Sequence, residues 1–490
     1  MAQRIILIGG GIAGLTAGIY ARKAGFEVDV YEKNAVPGGE CTGWWRKGCY
    51  IDNCVHWLTG TQPDTDLGEL WREVGALDAD QDYVATDRFL TLRTGSHATT
   101  LWHDLDRTEA ELIARAPEDR AEIATFMKHV RLAQSLDIPC KAPFELMTLT
   151  DRIKLALGMR DMGRVMATYG KISLDQLADR FTSELMKTLV TSYLPGSFSA
   201  YTLIVAYAMS ASGNGRIPRG GSRALALRMA DTLERLGGRL HLSCPIRRIA
   251  TSEGRAIGVE TADGHLERAD ALISSVDRHL LTTALLDNAP VPDDWSRADR
   301  APEHNPSISG VHVAFRAPAD ALEPGIQLFR CDDLTAATQP ITLLGAKAFD
   351  YEPDWAPQGS TVIQVSVAQS DRDFQWWKDL DAASYRAEKK RFADGVQERL
   401  AAEFPALAGR LEPLDCWTPL TYERFCGTYH GSYMGFGATP RATKIKERGG
   451  LPGIRGLYLA GQWVMDTGGL PSAARSGKFA VQRILKDLGR

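Results

Sequence analysis

The 490-residue sequence predicts an α/β fold, a parallel sheet with helices interleaved with a mixed α+β region. Three observations carry this expectation. A strand–turn–helix–strand pattern fills residues 4–32, a second glycine-opened helix followed by short alternating segments fills 220–274, and a strand and helix close the chain at 457–488. The pieces of one domain therefore lie at the start, middle and end of the chain.

Taken in order, Arg4 to Ile8 is a short apolar run of the kind that forms a buried parallel strand, and Gly9 to Gly14 follow at once. Ile12 to Ala24 carries helix formers up to Gly25, a helix stop, and Glu27 to Tyr31 alternates as a second strand that ends at Glu32. Asp66 to Leu77, Arg107 to Arg115 and Pro117 to Leu136 read as helices around a hairpin-like stretch from Arg88 to Trp102. Pro143 to Ser212 is largely helical and apolar. Ser222 to Leu236 is a further helix, and Arg239 to Leu242, Ile246 to Ala250, Ala256 to Thr261 and Ala269 to Ser274 are short strands. The Pro- and Asp-rich stretch from Asn288 to Pro306 reads as a connection. Gly310 to Phe315 and Thr361 to Val367 are strands, Ala382 to Phe404 a long amphipathic helix, Leu457 to Ala460 a strand and Pro471 to Leu488 a helix.

Composition narrows the function classes. Lys+Arg 57 against Asp+Glu 61 gives a net charge of −4, with 44% hydrophobic and 24% charged residues, an ordinary globular balance. With a pI near 6.2 and no basic tract, nucleic acid is excluded as the main partner, because phosphate binding needs clustered Lys and Arg. No stretch reaches the roughly 18 apolar residues of a spanning helix. Leu185 to Met209 comes nearest and is broken by Lys187, Pro195 and Gly196, which leaves a peripheral contact with a membrane face open. The 8 cysteines are too sparse for a disulfide scaffold, and the first residues lack a signal-peptide layout, so the expected compartment is a reducing cytoplasm.

Gly9-Gly10-Gly11-Ile12-Ala13-Gly14 fits GxGxxG with its strand, helix and acid in place. Gly9 permits the tight turn, Gly11 lets a diphosphate approach the backbone, and Gly14 lets helix and sheet pack closely. The helix start at Ile12 and Ala13 offers free N–H groups to that diphosphate, and Glu32 is placed to accept from a ribose hydroxyl. The fingerprint alone does not choose between FAD and NAD. Two later segments bear on it: Lys33 to Gly43, with a second glycine turn at Gly38, Gly39 and Glu40, and Gly461-Gln462-Trp463 followed by Gly469-Leu470-Pro471-Ser472. Pro near the first position makes the latter a good helix start, whose positive end suits the pyrimidine edge of a flavin. Cys41, Cys49, Cys54 and His56 are not spaced as a zinc site, so no metal is expected, and no C-x-x-C or G-x-S-x-G is present.

These segments, together with Gly48 to Asp52, Pro218 to Ser222, Cys244 to Ile249, Ala269 to Asp277 and Thr418 to Gly431, carry a resemblance over nearly the whole chain. The sequence resembles the FAD-dependent family of phytoene desaturases, carotenoid isomerases and retinol saturases, a branch of the amine-oxidase-like flavoproteins. The resemblance implies FAD as cofactor and a Rossmann-like FAD-binding domain at 1–89, 215–289 and 411–490, with a substrate-binding, helical cap domain at 90–214 and 290–410. It implies that Ile246 meets the adenine through its backbone, and that the 52–60 segment runs beside the flavin ring. His56 then becomes the candidate catalytic residue and Trp57 a substrate wall. Tyr429, His430 and Tyr433 are candidate pocket residues, with packing at a domain junction as the alternative for this aromatic cluster. Relatives commonly have a basic residue where this chain has Glu40.

With a single dinucleotide fingerprint, electrons are expected to pass between flavin and an apolar organic substrate, with oxygen, a quinone or transiently bound NAD(P)H at the other half-reaction. The implied activity is desaturation, saturation or isomerisation of C–C and C=C bonds in a long polyene or isoprenoid-like molecule. Reductive or cyclising work on a conjugated polyketide is the alternative within the family. Prenyl-binding proteins of the GDP-dissociation-inhibitor type share the fold without flavin chemistry but lack parts of a cofactor site whose two ends this chain keeps.

Overall fold

The computed structural model describes residues 3–54, 56–287, 289–465 and 468–490. Val55, Asn288 and Thr467, which fall in the segments read above, lie outside the described residues.

Five parallel strands form one sheet in the order Leu457–Leu459, Ala271–Ser274, Arg4–Ile8, Glu27–Tyr31, Arg239–His241. Its strands come from the start, middle and end of the chain. Successive side chains of a strand point to opposite faces, so Ile5, Leu7, Val28, Val30 and Ile273 join one apolar cluster while Ile6, Ile8, Leu272, Leu457 and Leu459 join another. The first face is covered by the helices Ile12–Lys23, Gly221–Arg235 and Leu470–Asp487, the second by a three-stranded antiparallel sheet, Ile246–Ser252, Arg255–Thr261 and Leu266–Arg268. Both faces are thus buried, which is why Arg4–Ile8 and Ala271–Ser274 read as continuous apolar runs. Helices Ile12–Lys23 and Leu470–Asp487 cross so closely that a Cβ at Gly477 would stand 2.4 Å from the Ala13 carbonyl oxygen.

A buried carboxylate ties three strands of this sheet together. Asp29 is 1% exposed and takes hydrogen bonds from Arg4 Nε (2.7 Å), Arg239 Nε (2.6 Å) and His241 Nε2 (2.8 Å), joining the neighbouring strands on both of its sides.

A second, seven-stranded sheet runs Glu412–Trp417, Ser309–Pro318, Ser360–Gln369, Gln339–Ala348, Ile326–Ala336, Arg88–Thr94, His97–Trp102. Its pairs are antiparallel except that of Ile326–Ala336 with Arg88–Thr94. Arg88 and Phe89 belong to this sheet, and a cut at 411 would sever Glu412–Trp417 from Ser309–Pro318, to which it is hydrogen-bonded. The strands Ile326–Ala336 and Gln339–Ala348 escaped the sequence reading because their polar residues, such as the fully buried Gln327, interrupt the alternation. The 288–306 connection holds a short helix, Asp293–Asp299, anchored by the buried Trp295. Helices from Leu105 to Ala211 form a third layer on the far side of Arg88–Thr94, packed through Leu112, Phe126, Val165, Leu177 and Tyr207. Among the described residues, no helix is long and apolar enough to cross a membrane.

Candidate cofactor and substrate site

The glycine turn has the geometry its sequence implies. Gly9 adopts φ +98, and a Cβ on Gly14 would fall 1.9 Å from the Gly9 carbonyl oxygen, so only glycine lets the helix sit this close to the strand end. Gly11 differs. Its φ is −72, and a Cβ there would meet nothing nearer than the Gly38 oxygen at 4.0 Å. The missing side chain at Gly11 therefore leaves open space directly over the helix start. No side chain caps that helix, so the N–H groups of Ile12, Ala13 and Gly14 face the same space. This is a cradle for a diphosphate, which both the free N–H groups and the helix dipole favour.

The second glycine turn lies on the first. Gly38 N–H donates to the Gly10 oxygen at 2.9 Å, Gly11 and Gly38 form a parallel bridge, and a Cβ on Gly39 would face the Gly11 Cα at 3.5 Å. Glu32, 5% exposed, accepts from Gly10 N–H (2.8 Å) with one oxygen and from Asn34 N–H and Nδ2 with the other. A carboxylate keeps further lone pairs after these bonds, enough for a ribose hydroxyl. Cys244 N–H donates to the Glu32 carbonyl, which brings Ile246 to the same end of the sheet. Lys33 is turned elsewhere, with Nζ on the Arg424 carbonyl.

The far end of the chain closes the site. Gly461 at φ +112 is tied by its N–H to Ser476 Oγ (2.8 Å), and the last helix starts at Leu470, Pro471 and Ser472 after Gly469 with no side-chain cap. Gln462 links the parts. Its Oε1 accepts from Gly469 N–H (2.9 Å), and its Nε2 donates to Glu40 Oε2 (3.1 Å) and to the Tyr433 carbonyl. Among the described residues, Glu40 Oε1 is buried without a partner. Burial pushes the Glu40 carboxyl well above its ordinary range, toward its neutral form, beside an uncapped helix start.

Beyond Glu40 lies a buried aromatic wall. Asn53 Nδ2 donates to the Glu40 carbonyl, and Asn53 Oδ1 accepts from Tyr422 Oη (2.8 Å) and Trp417 Nε1 (3.1 Å). His312, paired in register with Trp417, stacks on it at 5.0 Å and contacts the Tyr422 and Tyr433 rings edge-on. Trp57 Nε1 donates to the Tyr193 hydroxyl (3.2 Å), and Tyr193 packs on Phe89. His56 lies near Phe349, and its carbonyl accepts from Lys347 Nζ (2.8 Å). Asp52 is held by Ser222 N–H and Oγ.

Burial shifts the titrating groups of this wall toward their neutral forms. Burial, with Lys347 and His312 nearby, lowers the His56 imidazole to about 3, and burial alone takes His312 to about 3. Burial raises Asp52 to about 7 and lowers Lys347 to about 8. His56 is therefore neutral at physiological pH. It fits a hydrogen-bond orienting role rather than the storage of a proton that an ordinary imidazole allows.

Tyr429 and His430 are placed apart from Tyr433. They form a pile in which His279 stacks on Tyr429 at 3.8 Å, Tyr429 on His430 at 3.7 Å and His430 on Phe374 at 4.9 Å, with His430 Nδ1 on Asp371 (2.7 Å). This pile bridges the Asp277 loop and the helix Asp371–Asp379. Asn53, His312, Lys347, Trp417, Tyr422 and Gln462 are site residues that sequence reasoning did not select. Asn53, Tyr422 and Gln462 fall in segments singled out above, and Lys347 stands out as a lysine inside the apolar run Leu343 to Phe349.

Residues 12–485 match the family model described as flavin containing amine oxidoreductase. The chain belongs to the flavin-containing amine oxidoreductase family. Among curated members, the phytoene desaturase (lycopene-forming) of a Paracoccus species is 25% identical, over 99% of this chain and 98% of that one. The prolycopene isomerase of Daucus carota is 23% identical over 99% and 80%. The all-trans-retinol 13,14-reductase of Danio rerio is 23% identical over 98% and 86%. Among solved structures, cyclohexylamine oxidase from Brevibacterium oxydans superposes with TM-score 0.61 at 17% identity, covering 100% of both chains. An oxidoreductase from Methanosarcina mazei gives 0.61 at 17% identity, over 98% of this chain and 100% of that one. The cofactor of this family member is FAD, and the residues fit it: the open cradle at Gly11, Glu32 at the ribose end, and the uncapped helix start at Gly469 beside the orphaned Glu40 oxygen.

Proposed function

We propose that this flavin-dependent oxidoreductase acts on C–C and C=C bonds of a long, apolar, polyene or isoprenoid-like molecule. The observation that carries the reading is an aromatic inner wall whose acids are shifted by burial toward their neutral forms. Burial pushes Glu40 upward toward its neutral form and raises Asp52 to about 7, among Trp57, Tyr193, His312, Tyr422 and Tyr433. Acids held toward their neutral form offer an ammonium ion little counter-charge, whereas such a wall stabilises apolar, conjugated carbon. FAD supplies a two-electron acceptor or donor when bound. The chain supplies the rest: Trp57 and Tyr433 flank the substrate, His56 presents a neutral imidazole to orient it, and burial excludes water.

The test is anaerobic mixing of the FAD-loaded protein, oxidised or chemically reduced, with polyenes, retinoids and alkyl amines while the flavin bands are followed. Bleaching or recovery with polyenes or retinoids and none with amines is the expected outcome; a response to amines alone would overturn the reading. A His56→Asn variant should keep its FAD and respond about 10–100 times more slowly. An unchanged rate would remove His56 from the reaction.

A further inference from the structure

The helix Leu149–Gly158 buries none of its residues. Leu149 is 75% exposed, Ile153 53% and Leu157 69%, and Phe144, one turn before the helix, 60%. In a compact protein such a contiguous stripe marks a surface that meets something else. At 3.6 residues per turn, Leu149, Ile153, Ala156 and Leu157 fill an arc of about 100°. Arg152 lies just beyond one edge of that arc and Lys154 just beyond the other, while Asp151 falls on the opposite side.

The charges identify the occupant. Every acid in the segment 141–166 is already engaged: Glu145 with Arg483 (2.6 Å), Asp151 in the capping box of Thr148, and Asp161 with Arg164 (2.8 Å). Lys154 enters no ion pair among the described residues, and Arg152 lies over the Phe144 ring at 4.6 Å with its charge unmatched by any acid. An apolar stripe between two outward cations, with its acid turned away, has the layout of a helix lying in the headgroup boundary of an anionic bilayer. Leucines and isoleucine enter the acyl region while Arg and Lys stems reach back to the phosphates. We propose that Phe144 to Gly158 is a membrane-surface anchor that docks this chain on anionic lipid. The proposal is independent of which substrate the active site takes, since its readout is binding.

The experiment is cosedimentation of the FAD-loaded protein with phosphatidylcholine vesicles made with and without phosphatidylglycerol. The wild-type protein is expected to pellet with the anionic vesicles and to bind those of phosphatidylcholine alone about tenfold less. A Leu149→Ser, Ile153→Ser, Leu157→Ser variant should retain its flavin spectrum and thermal transition, since these side chains are exposed, and lose about tenfold or more of the binding. Arg152→Glu with Lys154→Glu should lose the preference for anionic lipid. Wild-type protein that stays in the supernatant with both vesicle types, or a triple variant that pellets as wild type does, would overturn the proposal. So would a dimer, seen by sedimentation velocity, that the triple variant breaks while vesicle binding is absent.

Discussion

A Gly11→Ala variant should purify folded and colourless. At φ −72 the position suits any L-residue, and the new methyl would meet nothing closer than 4.0 Å in the protein itself. Its cost to the bare chain is therefore small. The same methyl stands in the open space over the N–H groups of Ile12 to Gly14, where a diphosphate would sit, so FAD affinity should fall at least about 100-fold, near 3 kcal/mol. The paired control is Gly14→Ala, whose Cβ would fall 1.9 Å from a backbone oxygen and which should fail to fold. Flavin absorbance per chain and the thermal transition separate the two. A Gly11→Ala protein that binds FAD as tightly as wild type would contradict the cradle.

Asp29→Asn should cost about 2–4 kcal/mol of stability. Burial alone raises the Asp29 carboxyl, but hydrogen bonds from Arg239, His241 and Arg4 outweigh it and hold the group below the usual carboxylate range. A depressed carboxyl contributes stability that is fully present above its unfolded value, about 3.9, and is lost as pH falls through the folded value. Urea unfolding should therefore show the wild-type advantage over Asp29→Asn intact at pH 7 and shrinking below about pH 4. Arg239 and His241 are 55% and 37% exposed at their side chains, so salt will trim the effect. An advantage that is absent at pH 7, or that persists undiminished at pH 3, would show that the three strands do not depend on this charge.

The part of the site made by local chain geometry is the part that could be read from sequence. A strand running into GxGxxG and a helix leaves the backbone little choice, and Glu32 follows from the length of one βαβ unit. The wall opposite was hidden because sheet register makes it. His312 meets Trp417 only because Ser309–Pro318 pairs with Glu412–Trp417 at that offset, and nothing near either residue encodes the offset. Tyr429, His430 and Tyr433 look equivalent in sequence, being close neighbours. The left-handed backbone at His430 (φ +50) and Gly431 (φ +63) turns the chain between them, sending the first two into the junction pile and Tyr433 to the wall. The shift of His56 to about 3 is likewise a property of burial by residues far along the chain.

That the two ends of the chain jointly hold one FAD is tested most directly by the visible spectrum of the purified wild-type protein and the mass of what acid releases from it. A two-banded flavin spectrum with one FAD per chain is the expected result. A protein that is colourless and stays so after incubation with FAD, or one that releases FMN, would contradict it.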